Sequence, residues 1–172
     1  MILVTTGRNP TQSTRRLCKE LTRFIPNTRR LVRGKLGLRQ LPDELASAES
    51  DRMIIVYRGF GGPSQLGLVR LEGSQLKKIP PIIMLQNTKL ESTRKRQSSK
   101  VECITADSKD ALHLAEVFSE FLELPLADYK TSDFRHSLHV SSDARRVLTI
   151  APVHLQTGQM EGFSLIAKKL QW

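Results

Sequence analysis

Between Arg8 and Arg39 stand ten basic residues: Arg8, Arg15, Arg16, Lys19, Arg23, Arg29, Arg30, Arg33, Lys35 and Arg39. One acid, Glu20, accompanies them. This segment carries a net +9 of the chain's +10, while the other residues hold 17 basic and 16 acidic groups and are close to neutral. An ordinary solvated surface mixes its signs; this run does not. Arginine offers a planar fork that matches the oxygens of a phosphate and keeps its charge at any physiological pH. Charge of one sign concentrated in one segment points to a polyanionic partner.

Other residue groups admit other chemistry. Thr5–Pro10 reads as strand, loop and helix start, where free N–H groups could hold an anion with Arg8 alongside, or as an ordinary connection. Gly59, Gly61 and Gly62 resemble a phosphate cradle, but no helix and no Gly-Lys-Ser/Thr follow. They fit a hairpin turn between two strands. His136 and His139, three apart on a strand, fall on opposite faces and cannot share a metal, and His113 and His154 stand elsewhere. There is no HExxH and no GxSxG. Glu116 and Glu120 lie on the solvent face of a helix rather than as paired catalytic acids. Cys18 and Cys103 form no CxxC pair and read as buried small hydrophobes. No enzyme activity, cofactor, metal or small-molecule substrate is expected.

At 172 residues the chain suits one domain or two small ones. Hydrophobic content of 39% and charged content of 26% fit a soluble globular protein. A sequence pI near 10.1 narrows the partners to nucleic acid, an anionic membrane or an acidic protein. The longest apolar run, around Ile79–Leu85, is far short of the roughly 20 residues that span a bilayer. The opening Met1-Ile2-Leu3-Val4 lacks the charged leader of a signal peptide. Aromatic content of only 5% argues against a platform of rings for single-stranded bases. A cytoplasmic location is expected, or a nuclear and nucleolar one in a eukaryote.

The elements that must position the basic run follow from periodicity. Ile2–Thr5 predicts a central strand. Asn9 and Pro10 predict a cap and first helical position, with the helix running to about Phe24 and burying Leu17, Cys18, Leu21, Phe24 and Ile25. Arg15, Arg16, Lys19 and Arg23 lie off that stripe. Thr28–Val32 predicts a strand closed by Gly34. Gly37–Ala48 predicts a helix with Leu38, Leu41, Leu45 and Ala48 on one face, regular only from Pro42. Met53–Tyr57 and Gln65–Leu71 pair across the glycine turn. Ile79–Leu85 predicts a strand that Pro80-Pro81 restricts to an edge or to its first residues. Gln86–Lys100 reads as a polar basic loop. The pattern then restarts: a strand at Val101–Thr105, a helix from Lys109 to Leu122 capped by Asp107 or Ser108, and strands at Phe134–Val140, Arg145–Val153 and Gly162–Leu170. Each half opens strand–helix and closes with paired strands, which predicts an internal duplication.

The residues Thr5-Thr6-Gly7-Arg8-Asn9-Pro10-Thr11-Gln12-Ser13-Thr14-Arg15, with Lys19-Glu20-Leu21, Pro26-Asn27, Arg30 and Arg33-Gly34, resemble the opening of the Brix-domain family of ribosome-biogenesis proteins. Ile54–Val56, Arg58-Gly59 to Pro63 and Leu66-Gly67-Leu68 continue the likeness, and Ala144–Leu148 resembles a segment near that domain's end. The chain resembles the compact, stand-alone archaeal version. The resemblance implies an α/β (α+β) fold of two similar halves, each like an anticodon-binding domain. It also implies binding of RNA and protein partners in pre-ribosomal RNA processing and subunit assembly. Gly7 stands where a serine is common, and Leu71-Glu72-Gly73-Ser74 replaces a Leu-Pro-x-Gly-Pro-Thr segment of eukaryotic relatives.

The reading that results is one Brix-like domain over residues 1–172, with halves of about 1–88 and 100–172. It binds structured ribosomal RNA or its precursor through Arg8, Arg15, Arg16, Lys19, Arg30, Arg33 and Lys35, with Arg145 and Arg146 as a second patch. Ribosome-assembly proteins are the expected protein partners. Replacing Arg30 and Arg33 by Glu is expected to weaken RNA binding without unfolding the protein. Two other readings stay open: a protein–protein scaffold whose basic face meets an acidic partner, and a tRNA-binding accessory module.

Overall fold

The computed structural model describes residues 1–91 and 99–172. The chain forms two compact units. The first comprises Met1–Thr22, Asn27–Met84 and Lys169–Trp172. In it, β1 (Ile2–Thr6) lies between β2 (Thr28–Arg30) and β3 (Arg52–Arg58) and runs parallel to both. Then β4 (Pro63–Glu72) and the first part of β5 (Gln75–Leu90) add antiparallel strands. All five residues of β1 are buried, which is why it reads as an apolar run without alternation: both of its faces are covered.

Alternation assigns the two faces. Leu3, Met53, Ile55 and Val69 point one way and pack with Leu41, Leu45 and Ala48 from α2 (Leu41–Ser47). Ile2, Val4, Ile54, Val56, Leu66 and Leu68 point the other way and are equally buried. There α1 (Gln12–Phe24) sinks Leu17, Cys18 and Leu21, and Cys18 Sγ donates to the Thr5 carbonyl at 3.4 Å. Each such Leu or Ile contributes about 1.5–3 kcal/mol when it leaves water.

The second unit comprises Arg23–Pro26 and Leu85–Lys168. Its β6 (Cys103–Ala106) is parallel to β7 (Leu126–Asp128) and β8 (His136–Ser142). Antiparallel β9 (Leu148–His154) follows β8, and β10 (Gln159–Met160) and β11 (Phe163–Gln171) both pair with β9. The helix α3 (Lys109–Leu122) buries Ala111, Leu114, Ala115, Phe118, Phe121 and Leu122, the face that periodicity predicts. Ser108 is its cap, its hydroxyl accepting from the Ala111 N–H at 3.2 Å. Phe24 meets Phe163 edge-on, with centroids 6.0 Å apart. Both units follow one plan: a strand, a helix, a short parallel strand on one side, a longer parallel strand on the other, then antiparallel strands. The two similar halves read from the sequence are present in the fold.

Several boundaries differ from the sequence reading. The first helix starts at Gln12, and its capping oxygen is Thr11 Oγ1, which accepts from the Thr14 N–H at 3.2 Å. Asn9 instead takes a left-handed turn at φ 49°. β2 stops at Arg30, and Leu38 sits in a separate 3-10 turn, exposed, rather than on the buried face of α2. β5 starts before and ends after the expected strand, so Gln86–Leu90 is strand and not loop. Residues 92–98 of the expected loop lie outside the described residues. Pro80-Pro81, joined by a cis bond, fall where pairing with β4 shifts register, opposite the step from Leu66 to Leu68. β9 begins at Leu148, which leaves Arg145 and Arg146 in a turn, and the short β7 and β10 carried no sequence signal.

Candidate nucleic-acid interface

Because β1 has parallel neighbours on both sides, the chain leaves its carboxyl end in one direction and returns past it in the other. Such a switch point opens a crevice at the carboxyl ends of the strands. Here it is a cleft of about 140 Å³ lined by Thr6, Gly7 and Pro10, by Arg15 and Cys18 of α1, and by Arg30 to Gly34. Gly7 is buried, and a Cβ there would stand 3.0 Å from the Tyr57 ring, so a serine at this position would press on that ring.

Arg33 is the unexpected member. It is 5% exposed and not a surface residue. Its Nε donates to the Leu36 carbonyl at 2.8 Å, and Nη1 approaches the Thr6 carbonyl at 3.5 Å. Its Nη2 is buried and has no hydrogen-bond partner among the described residues. Burial pulls the guanidinium below its ordinary pKa, and nearby Arg8 pulls in the same direction. Glutamate at position 33 would set a carboxylate against two carbonyl oxygens, so an intact fold does not follow for that substitution.

Arg15 and Arg30 line the same cleft and are exposed. Arg8 is exposed and reaches toward Gly37, where an added Cβ would meet its Nη2 at 3.9 Å. Arg16 and Lys19 continue along the outer face of α1, and Lys35 stands in the Gly34 turn. Among the described residues, none of Arg8, Arg15, Arg16, Lys19, Arg30, Arg33 or Lys35 has a carboxylate within 4 Å. Cations elsewhere in this unit do: Arg52 and Arg70 meet Asp51, and Lys77 meets Glu72. Arg23 lies over the Phe24 ring at 5.7 Å.

Arg145 and Arg146 belong to the second unit. Asp143 folds their turn, its Oδ1 accepting from the N–H groups of Arg145 and Val147 at 2.9 and 2.8 Å. Both arginines are exposed, but Arg146 Nε is 3.5 Å from Asp110 Oδ2. Sequence reasoning read the β3–β4 turn from its glycines but passed over Phe60 at the tip, which is fully exposed. It lines an open pocket with Arg58 and Thr11, and an added Cβ at Gly62 would lie 3.3 Å from Ser13 Oγ. The only signal was an aromatic residue inside a glycine turn.

His136 faces His154 across β8 and β9, with rings 4.8 Å apart and Nδ1 3.7 Å from Glu161 Oε2. His139 bonds Thr105 Oγ1 through Nδ1 at 2.8 Å and lies against Tyr129. Among the described residues no three His, Cys, Asp or Glu side chains come together as metal ligands. Both thiols are free and buried, and burial pushes Cys18 up to about 12 and Cys103 up to about 11. No helix among the described residues is long and apolar enough to cross a membrane.

The chain is 31% identical, over 133 residues, to a probable Brix domain-containing ribosomal biogenesis protein of Methanococcus maripaludis, covering 77% of this chain and 76% of that protein. A protein of the same description from Methanosarcina barkeri is 39% identical over 75 residues, 44% of this chain and 45% of that one. The fold is similar to the crystal structure of a probable ribosomal biogenesis protein from Aeropyrum pernix K1, with a TM-score of 0.79 at 23% identity, covering 98% of this chain and 95% of that one. No protein-family model matches the chain.

Proposed function

The chain belongs to the Brix-domain family of ribosomal biogenesis proteins, and from that premise we propose that it is a ribosome-biogenesis factor that binds structured ribosomal RNA or its precursor. It acts in RNA processing and subunit assembly by holding RNA and assembly proteins, without catalysis. The whole of 1–172 works as one Brix-like domain, with halves of about 1–88 and 100–172. The observation that carries the reading is the set of exposed cations that have no carboxylate partner among the described residues, on the outer face of α1, at the carboxyl ends of β1 and β2 and in the Gly34 turn. Arginines left unpaired in water keep their forks open for phosphate oxygens. Contacts of this kind fix position but carry little sequence information, so specificity comes from RNA shape and from partner proteins. Arg145, and Arg146 once released from Asp110, add contacts from the second half.

Crosslinking the protein to RNA in its own cells, followed by sequencing, tests this. Enrichment of ribosomal RNA and its precursors is the expected outcome. Recovery of tRNA alone would favour the accessory-module reading. Protein partners that persist unchanged after nuclease treatment, with no RNA crosslinked, would favour the scaffold.

A further inference from the structure

We infer that the cleft at the carboxyl end of β1 is a seat for a single phosphate group, gripped by the guanidinium of Arg33. The inference rests on the RNA-binding reading and narrows it from a charged surface to one site. Arg33 holds two of its nitrogens on carbonyl oxygens of its own fold and keeps Nη2 buried and unpartnered. A buried donor left unpaired is costly, and more so when it is charged. The neighbours worsen its position: Arg8 adds repulsion, and no carboxylate answers it among the described residues. An anion entering the cleft, which Arg33 lines, offsets that charge and gives the guanidinium an acceptor once Nη2 turns toward it. Arg15 and Arg30 line the same walls and can close on its remaining oxygens.

Size and place select the ligand. A volume of about 140 Å³ admits a phosphate but not a nucleotide, since small-molecule pockets start at about 300 Å³. The seat also lies where an open α/β sheet presents ligands, at the switch point between β2 and β3. Two sources share this chemistry: a phosphate of the RNA backbone drawn into the cleft, and a terminal monophosphate.

The test uses the full chain and two charge-matched double variants. Arg15→Gln/Arg30→Gln removes two cleft walls, and Arg16→Gln/Lys19→Gln removes two exposed cations outside it. Inorganic phosphate is titrated while the Nε–H resonance of Arg33 is followed by NMR. The expected result is a saturable shift in the wild type, weakened about tenfold or more in the cleft variant and far less in the control. Equal weakening in both variants, or no response from Arg33, would mean diffuse screening and overturn the seat, even where RNA still binds. A saturable phosphate response in a protein that binds no RNA would leave the seat standing and sink the RNA reading instead. One short single-stranded RNA with and without a 5′-phosphate then separates the sources: preference for the phosphorylated form assigns the terminal group, and equal affinity with an Arg33 shift assigns the backbone. An Arg33 response to a polyglutamate peptide but not to RNA or inorganic phosphate would overturn the inference.

Discussion

On the proposed RNA-binding reading, the salt dependence is set by how many cations the fold leaves free. Six of them, Arg8, Arg15, Arg16, Lys19, Arg30 and Lys35, are exposed and without carboxylate partners among the described residues. Each phosphate contact contributes a slope of about −0.7 on single strands and about −0.9 on duplex in a plot of log affinity against log salt. Full engagement therefore gives a slope between about −4 and −5, a loss of roughly 300-fold to 2,000-fold between about 50 and 200 mM KCl. Arg16→Gln/Lys19→Gln removes two contacts and flattens the slope by about 1.4–1.8. Both side chains lie on the outer face of α1, so the helix and its buried stripe stay intact. Fluorescence anisotropy of a labelled ribosomal RNA hairpin across a KCl series measures the slope. A wild-type slope shallower than about −1, or one that the double variant leaves unchanged, would refute phosphate neutralisation by this surface.

Other perturbations test the frame that carries it. Gly162→Ala would drive a Cβ into the Phe24 ring at a residue with φ 71°, so a loss of about 2–4 kcal/mol and a fall of roughly 5–15 °C in Tm are expected by calorimetry. Thr11→Ala should cost about 1 kcal/mol in urea unfolding and Asn9→Ala much less, because the threonine supplies the cap oxygen of α1; the reverse order would restore Asn9 as the cap. Burial holds His139 below its ordinary pKa of 6.5, so the unfolded chain takes up this proton first as the pH falls. The stability it contributes is complete above about pH 6.5 and is lost as the pH drops from there through the folded pKa. A Tm series from pH 7.5 to pH 5 should therefore fall less steeply for His139→Gln than for the wild type.

Legibility varied with how local the deciding force was. α3 was readable almost to the residue because Ser108 caps it and six apolar residues share one helical face. The stripe of α1 was equally clear, but its start was not, since Asn9-Pro10 offers the same local chemistry as the Thr11 cap that the fold uses. The end of β5 was hidden because its residues are polar and exposed there, while strand pairing runs through the backbone whatever the side chains are. The basic run was visible as composition alone. The burial of Arg33 was not, because it depends on the segment after β2 folding back over Thr6, a contact 27 positions away in sequence. A basic residue among basic residues carries no local mark of having been taken out of water.

The division of the chain between its units also bears on how the protein is made. Arg23–Pro26 comes early in the sequence yet belongs to the second unit, and Lys169–Trp172 comes last yet belongs to the first. During synthesis the first unit therefore stays incomplete until those final residues leave the ribosome. Phe24 likewise gains its edge contact with Phe163 only when a residue more than a hundred positions later has been made. Cutting the chain at its midpoint would not release two finished halves, because each fragment would keep a strip of sequence that the other requires.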